Sequence, residues 1–390
     1  MQKVILKKGK CSPVRRKHPW ILSGAVEHTP EELENGQNVE VYSSNGEFLG
    51  IGYFSKYSQI SIRMWTFEKV KINKQFFAKK ISNALEARKS LNLNTNAFRC
   101  VFSEADGLPG IIIDKYNNVL VCQFLTAGAD KNKNYVFDAL KEMFNPALII
   151  ERSDEKIRLK ENLNLKKEVV FGKEPKNFIV KIQENGINFY VDVWEGHKTG
   201  FYIDQRENRK KLTDYCKGKN VLNLFSYTGA FGIYAKLTGS KKVINVEISE
   251  KNIMLAKDNY KLNNIPFSEN EFIRADVFDF LSTDNKNYDL VILDPPKFVS
   301  SKSNLEKGKK GYFWINTKAL NKIKKNGFLF TFSCSGLISK SELNNILTRS
   351  SIKAEREIKI IENLNQAKDH IISPFFPESL YLKGFICFIE

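Results

Sequence analysis

The chain has no apolar run approaching the ~20 residues that a membrane-spanning helix needs. Its apolar runs, such as Gly110-Ile-Ile-Ile113 and Phe328-Leu-Phe330, are far shorter, so a membrane partner is excluded. Clustered cysteine is missing as well. Cys11, Cys100, Cys122, Cys216, Cys334 and Cys387 are scattered without a Cys-x-x-Cys pair, which argues against a zinc site or a dense disulfide framework and reads as reduced thiols. No metal is expected. The start, Met1-Gln-Lys-Val-Ile-Leu-Lys-Lys8, lacks the long apolar stretch and small-residue cleavage site of a secretory signal, so a cytoplasmic location is the expectation. Internal repeats and low-complexity tracts are absent too, which removes solenoids and disordered tails.

What is present describes a globular protein. Hydrophobic residues make up 42% and charged residues 27% of 390 positions, enough for two or three domains with their own cores. The 61 Lys and Arg against 44 Asp and Glu leave a net charge of +17, which draws polyanions by long-range field and counterion release. Nucleic acid is the leading partner. A lysine-rich composition bias, accompanied by many Asn and Ile, is the alternative, so the clustering of charge matters more than its sum. A homodimer is left open.

Residues 1–69 read as a small β-barrel. Val39-Glu-Val-Tyr42, a turn at Asn45-Gly46, Phe48-Leu-Gly-Ile-Gly-Tyr-Phe54 and Ile60-Ser-Ile-Arg-Met-Trp65 alternate as strands. Arg15, Arg16 and Lys17, followed by His18-Pro19-Trp20, set cations beside an aromatic ring and form a candidate RNA contact; a solvated basic face is the alternative. Residues 70–176 read as an α+β domain, with helices over Lys74–Leu91 and near Tyr135–Phe144. Residues 177–390 alternate strands and helices. Asn220–Leu224, Lys242–Glu247, Glu271–Ala275, Leu290–Leu293 and Phe328–Phe332, separated by helices such as Glu250–Asn263, predict a doubly wound, Rossmann-like parallel sheet. The fold class expected is therefore α/β with an N-terminal barrel.

In such a sheet a ligand sits beyond the carboxyl ends of the strands, where the first strand's loop opens a helix. Val221-Leu-Asn-Leu-Phe-Ser-Tyr-Thr-Gly-Ala-Phe-Gly232 occupies that place, with Gly229 permitting close approach and Ser226 and Thr228 offering hydroxyls. Glu247 follows about twenty residues later, the spacing at which a carboxylate accepts from ribose hydroxyls. It also suits the positive start of the next helix, with Ser249 as N-cap. Arg274-Ala-Asp276 supplies a carboxylate for an adenine amino group, or a helix cap. Asp294-Pro-Pro-Lys-Phe298 ends the fourth strand, its prolines stiffening the exit and fixing the direction of Asp294. These four features in this order resemble the class I methyltransferase superfamily.

The fifth strand ends in Phe330-Thr-Phe-Ser-Cys-Ser-Gly336. Carbon 5 of a pyrimidine is a poor nucleophile, so its methylation needs a thiolate adding at C6, and Cys334 is placed for that addition. A small buried residue is the alternative reading of Cys334. After Phe298 comes a lysine-rich stretch with Lys302, Lys309 and Lys310, then Tyr312-Phe-Trp314. It forms a candidate RNA lip or a surface loop whose aromatics turn inward.

Across the whole chain the sequence resembles the large-subunit (23S) ribosomal RNA cytosine-5 methyltransferases built from a PUA domain, a central domain and a Rossmann-like catalytic domain. The resemblance is carried by Arg16-Lys-His-Pro-Trp-Ile-Leu-Ser-Gly-Ala25, Glu104-Ala-Asp-Gly-Leu-Pro-Gly-Ile111, Gly196-His-Lys-Thr-Gly-Phe-Tyr-Ile-Asp-Gln-Arg-Glu-Asn-Arg209, Leu293-Asp-Pro-Pro-Lys-Phe298, Ser333-Cys-Ser335 and Tyr381-Leu-Lys-Gly384. It implies S-adenosylmethionine as cofactor, S-adenosylhomocysteine as product and ribosomal RNA as partner. It further implies Cys334 as nucleophile and Asp294 at the target base. Tyr202, Gln205, Arg206, Asn223, Phe225, Ser226, Thr228, Gly229, Glu247, Ile248, Asp276, Val277 and Asp294 would line the cofactor site. Arg15, Arg16, Lys17, Trp20, Lys297, Phe298, Lys302, Lys309 and Lys310 would meet RNA. The chain departs from the usual pattern at Asn223, where many class I enzymes carry an acid, and at Glu247, where Asp is commoner. It departs again at Pro296, where many RNA cytosine-5 enzymes carry a second cysteine. Guanine-N7 or amino-group methylation, and a non-catalytic ribosome assembly factor, are the competing readings.

Overall fold

Strict alternation of buried and half-exposed side chains in Asn38–Tyr42 lets one face enter a core, while Phe48–Phe54 and Ile60–Thr66 are buried along almost their whole length. The result is a six-stranded sheet in the order Trp20–Leu22, Ile60–Thr66, Phe48–Phe54, Asn38–Tyr42, Gln2–Leu6, Val26–His28. Val4, Leu6, Val39, Val41, Ile62 and Met64 fill its interior. The computed structural model describes residues 1–30, 32–299 and 301–390.

A second sheet orders Lys166–Phe171, Leu148–Ser153, Val119–Phe124, Ile111–Tyr116 and Ala97–Phe102. Its one parallel pair, Val119–Phe124 with Leu148–Ser153, needs a crossover, and the helix Ala127–Phe144 supplies it. The helix Lys74–Lys89 packs alongside, started by Asn73, whose side chain accepts the Phe76 N–H. Tyr53 and Trp65 of the first sheet join the core of the second. Gly128 lies so close to the Tyr53 ring that a Cβ there would meet it at 2.1 Å, while the Tyr53 hydroxyl bonds Thr126 Oγ1 at 2.7 Å. Arg63, buried, reaches Glu161 at 2.9 Å.

By compactness the chain forms two units. Residues 1–184, 191–203 and 368–379 make the first; 185–190, 204–367 and 380–390 make the second. Polar ties explain why late segments belong to the first unit. The Thr199 hydroxyl donates to Asp114 at 2.6 Å, and Asp369 Oδ2 accepts the Arg99 N–H at 2.8 Å, both buried. Arg99 in turn holds Asp114 through two bonds of 2.8 Å.

The second unit is a seven-stranded sheet with helices between its strands. We number the strands β1 Asn220–Leu224, β2 Lys242–Glu247, β3 Phe272–Arg274, β4 Tyr288–Leu293, β5 Ile323–Ser333, β6 Ile358–Asn365 and β7 Lys383–Ile389. Their order is β3-β2-β1-β4-β5-β7-β6. The first five run parallel, and β7 inserts antiparallel between β5 and β6. Apolar side chains such as Leu222, Leu224, Val246, Val291 and Leu293 are buried under the helices, as central parallel strands require. The order reverses beside β1, between β2 and β4, which opens the crevice at the strands' carboxyl ends. Among the described residues no helix is long and apolar enough to cross a membrane.

Candidate active site

The loop leaving β1 is held in an unfavourable backbone shape. Phe225 and Tyr227 adopt φ of 56° and 49°, and Gly229 follows at 78°. Left-handed backbone costs a bulky residue roughly 1–2 kcal/mol, and such outliers gather at ligand sites. Hydrogen bonds hold the shape: Ser226 N–H to Val246 O at 3.0 Å, Gly229 N–H to Ser226 O at 2.9 Å, and Tyr227 N–H to Glu247 Oε2 at 3.0 Å. The helix Ala230–Leu237 begins directly after Gly229, aiming its unsatisfied N–H groups at the loop. Beneath it the Asn223 amide donates to Asn245 Oδ1 at 2.9 Å, and Asn245 donates to the Tyr260 hydroxyl at 3.0 Å. Gly232 is required there: a Cβ would lie 2.5 Å from both Asn245 Oδ1 and Tyr260 Oη. Asn223 thus uses its amide protons as a neutral strut under the loop.

Glu247, at the end of β2, is buried. Its Oε1 accepts the Ser249 N–H at 3.0 Å and Asn252 Nδ2 at 3.3 Å, while Oε2 takes Tyr227. The helix Glu250–Leu262 has its own cap in Ser249, which accepts the Asn252 N–H, so Glu247 is not needed as one. Ile248, beside it, is 62% exposed, an apolar face against which a flat ring can lie. Asp276 is an exposed N-cap whose Oδ1 accepts Phe278 N–H at 2.7 Å and Asp279 N–H at 3.4 Å, so it is a helix cap with Oδ2 left over. Val277 is buried behind it.

These groups fit S-adenosylmethionine. A carboxylate holding three donors keeps acceptor capacity for ribose hydroxyls, an exposed isoleucine suits adenine, and a glycine-containing turn at a helix start suits the methionine moiety. Thr228 adds an observation in the same loop: its Oγ1 is buried without a hydrogen-bond partner.

Across the crevice, β4 delivers Asp294. Gln205 Nε2 donates to Asp294 Oδ2 at 3.0 Å, and Gln205 Oε1 accepts from Asn208 at 2.6 Å, which also bonds Asn365 O. Asn208 therefore orients the amide that orients the carboxylate, a relay between two residues of the segment 196–209 and the end of β4. Arg206 is buried with its guanidinium 3.3 Å from Glu207. Tyr202 packs with the first unit, where its hydroxyl is 3.2 Å from His197 Nδ1 and Lys198 lies 4.4 Å over its ring.

Cys334 directly follows β5. The other five cysteines are buried, Cys334 is half-buried, and none is in a disulfide. Beside it lies Lys383, the first residue of β7, to which the sequence reading gave no role. Its sequence signals are a place in Tyr381-Leu-Lys-Gly384, one of the segments that carry the family resemblance, and a lysine opening the apolar strand Lys383-Gly-Phe-Ile-Cys-Phe-Ile389. The Tyr312 hydroxyl is 3.0 Å from Ser335 Oγ, and burial pushes that phenol up to about 12.

The candidate RNA contacts divide. Lys302 and Lys310 are exposed, as is Lys297. Lys309 is bound between Glu306 at 3.2 Å and Glu342 at 3.0 Å. The aromatics turn inward: Tyr312 is buried, Phe298 packs 4.8 Å from it, and Trp314 stacks on Phe278 at 5.0 Å. In the first unit Arg16 and Lys17 are exposed, and Arg15 pairs with Glu47. Trp20 spends its Nε1–H on Glu104 at 2.8 Å and packs against Phe376.

Comparison with known proteins agrees with this layout. Residues 4–67 match a PUA-like domain and residues 167–323 an S-adenosylmethionine-dependent methyltransferase domain. The chain is 43% identical to ribosomal RNA large subunit methyltransferase I of Aliivibrio fischeri and 42% to that of Vibrio parahaemolyticus, covering 98% of each pair of chains. A solved S-adenosylmethionine-dependent methyltransferase from Streptococcus mutans shares the fold over 100% of both chains, with a TM-score of 0.86 at 24% identity. A methyltransferase solved with S-adenosylhomocysteine superposes with a TM-score of 0.87 over 100% of both chains at 23% identity. The α/β fold with an N-terminal PUA-like domain is as the sequence implied, and so is the cofactor. With an S-adenosylmethionine-dependent catalytic domain behind a PUA-like one, the chain belongs to the family of the ribosomal RNA large subunit methyltransferase I proteins.

Proposed function

We propose that this protein forms 5-methylcytosine in large-subunit ribosomal RNA, acting in the cytoplasm where ribosomes are built. The observation that carries the reading is Cys334. It is the one cysteine that is not buried, and it follows β5, the strand next to the one that delivers Asp294. Neither amino-group nor ring-nitrogen methylation has a use for a thiol there.

Cys334 adds as thiolate to C6 of the cytosine, forming the S–C6 bond and moving the C5=C6 electron pair to C5. Asp294, held by Gln205, stands at the base as an acceptor for the cytosine amino group and so orients the ring with C6 toward Cys334. Bound S-adenosylmethionine supplies an electrophilic methyl group. After transfer, loss of the C5 proton to a base restores the C5=C6 bond and expels the Cys334 thiolate. Pro296 stands where related enzymes carry a second cysteine, so Cys334 both attacks and leaves. Exposed Lys297, Lys302 and Lys310, with Arg16 and Lys17 of the first unit, hold RNA phosphates.

Base-resolution mapping of ribosomal RNA from cells with and without the gene tests this. Loss of one C5 methyl on a cytosine, restored by wild type and not by Cys334→Ala, is expected. Methylation by Cys334→Ala at the wild-type rate sinks the mechanism. A missing guanine or amino-group methyl sinks the substrate.

A further inference from the structure

Lys383 is 4% exposed and carries an ammonium into the wall beside Cys334. Its Nζ donates to Ser335 O at 2.9 Å and to Tyr381 O at 2.8 Å, which fixes it against the residue that follows the cysteine. In register Lys383 pairs with Ser333, the residue that precedes it. Two carbonyl dipoles orient a buried cation, but they do not neutralise it. Among the described residues no carboxylate lies within ion-pair distance of Nζ. A cation this buried without an anion is costly and rare.

We infer that Lys383 is the positioning residue that keeps Cys334 a thiolate, its fixed ammonium serving as the counter-charge of the sulfur. The inference rests on the reading of Cys334 as nucleophile. Formation of the pair releases one proton to solvent: the Cys334 S–H bond breaks, water takes the proton, and the thiolate is left beside the ammonium that the two carbonyls already hold.

The charged neighbours agree with this. Burial chiefly, opposed by the negative charge of Cys334 and helped by the charge of Lys297, brings the Lys383 ammonium down to about 8. Tyr312, pushed up to about 12 chiefly by burial, stays neutral and supplies no charge. Asp294, at the end of the neighbouring strand, disfavours a second anion, so the sulfur needs a cation of its own. Lys383 meets that need while its two carbonyl bonds keep it from swinging out to solvent.

The pH dependence of alkylation of the full chain by iodoacetamide tests this, because the other five cysteines are buried. Mass spectrometry of the Cys334 peptide gives the rate. In Lys383→Met the half-rise is expected to move up by about one pH unit or more, slowing alkylation at pH 7 about tenfold. Lys383→Arg, which keeps the charge, should restore the low-pH reactivity. Lys383→Gln, which keeps a donor toward the two carbonyls without charge, should behave as Met does and replaces it should the Met protein not fold. Calorimetric binding of S-adenosylhomocysteine verifies each fold. An unchanged alkylation profile in a folded Met or Gln variant overturns the inference. A shifted profile with a Cys334→Ala enzyme that still methylates leaves the ion pair standing and overturns the function instead.

Discussion

Replacing Glu247 by glutamine changes one atom and separates two explanations of that residue. The carboxylate receives Tyr227 N–H on one oxygen and Ser249 N–H with Asn252 Nδ2 on the other, so both faces require an acceptor. An amide has one. Whichever way the substituted amide turns, its NH2 confronts a donor, and a buried backbone N–H left without a partner costs about 1–3 kcal/mol of stability. Affinity suffers separately. A hydrogen bond to a charged acceptor contributes about 1.5–3 kcal/mol and one to a neutral acceptor about 0.5–1.5, so two ribose hydroxyls lose roughly 2–3 kcal/mol together. That is about 30- to 150-fold in dissociation constant. Were Glu247 merely a favourable charge at the start of helix Glu250–Leu262, the loss would be about 0.3–1 kcal/mol of stability and none of affinity. Isothermal calorimetry with S-adenosylhomocysteine, alongside urea unfolding, measures both quantities. A Glu247→Gln protein that binds within about threefold of wild type, a difference of under about 0.7 kcal/mol, refutes the ribose assignment.

Two further outcomes follow from the packing and the charges. Gly232→Ala should lower the melting temperature although alanine is the better helix former, because its Cβ displaces Asn245 Oδ1 and Tyr260 Oη. About 1–3 kcal/mol is at stake, at roughly 2–4 °C per kcal/mol, read by calorimetric melting; an unchanged or higher melting temperature contradicts the strut. In filter-binding titrations of a ribosomal RNA fragment against KCl, Lys310→Ala should lower the logarithmic salt slope by about 0.7, and Lys309→Ala, already paired with two glutamates, by less. The reverse ranking removes Lys310 from the interface.

Local chemistry is legible in the sequence, and long-range pairing is not. The strands Asn220–Leu224 and Lys242–Glu247 fall where the apolar runs place them, and Asn185-Gly186 turns its hairpin with both residues at positive φ, as the dipeptide predicts. Lys166–Phe171 escapes a sequence reading because half of Lys-Lys-Glu-Val-Val-Phe is charged, an edge strand without a clear period. The strand β6 and the helix Lys340–Ala354 carry no motif, and nothing local tells β7, which opens with the last two residues of Tyr381-Leu-Lys-Gly384, to run antiparallel between β5 and β6. Lys383 is illegible for that reason, since only the pairing of β7 with β5 brings it to Cys334. Asn208 likewise acquires meaning only when Gln205 meets Asp294.

The loop after β1 has a consequence for turnover. Phe225, Tyr227 and Gly229 stand at positive φ, and the cradle is held there by the protein's own hydrogen bonds to Val246 and Glu247. A cradle that grips the ribose, the adenine and the methionine end meets the same groups on donor and product, which differ only at the sulfur, by one methyl group and its positive charge. The spent S-adenosylhomocysteine should therefore occupy it about as firmly as the fresh donor. In a cell the speed of this enzyme would then follow the ratio of the two metabolites more closely than the supply of either one.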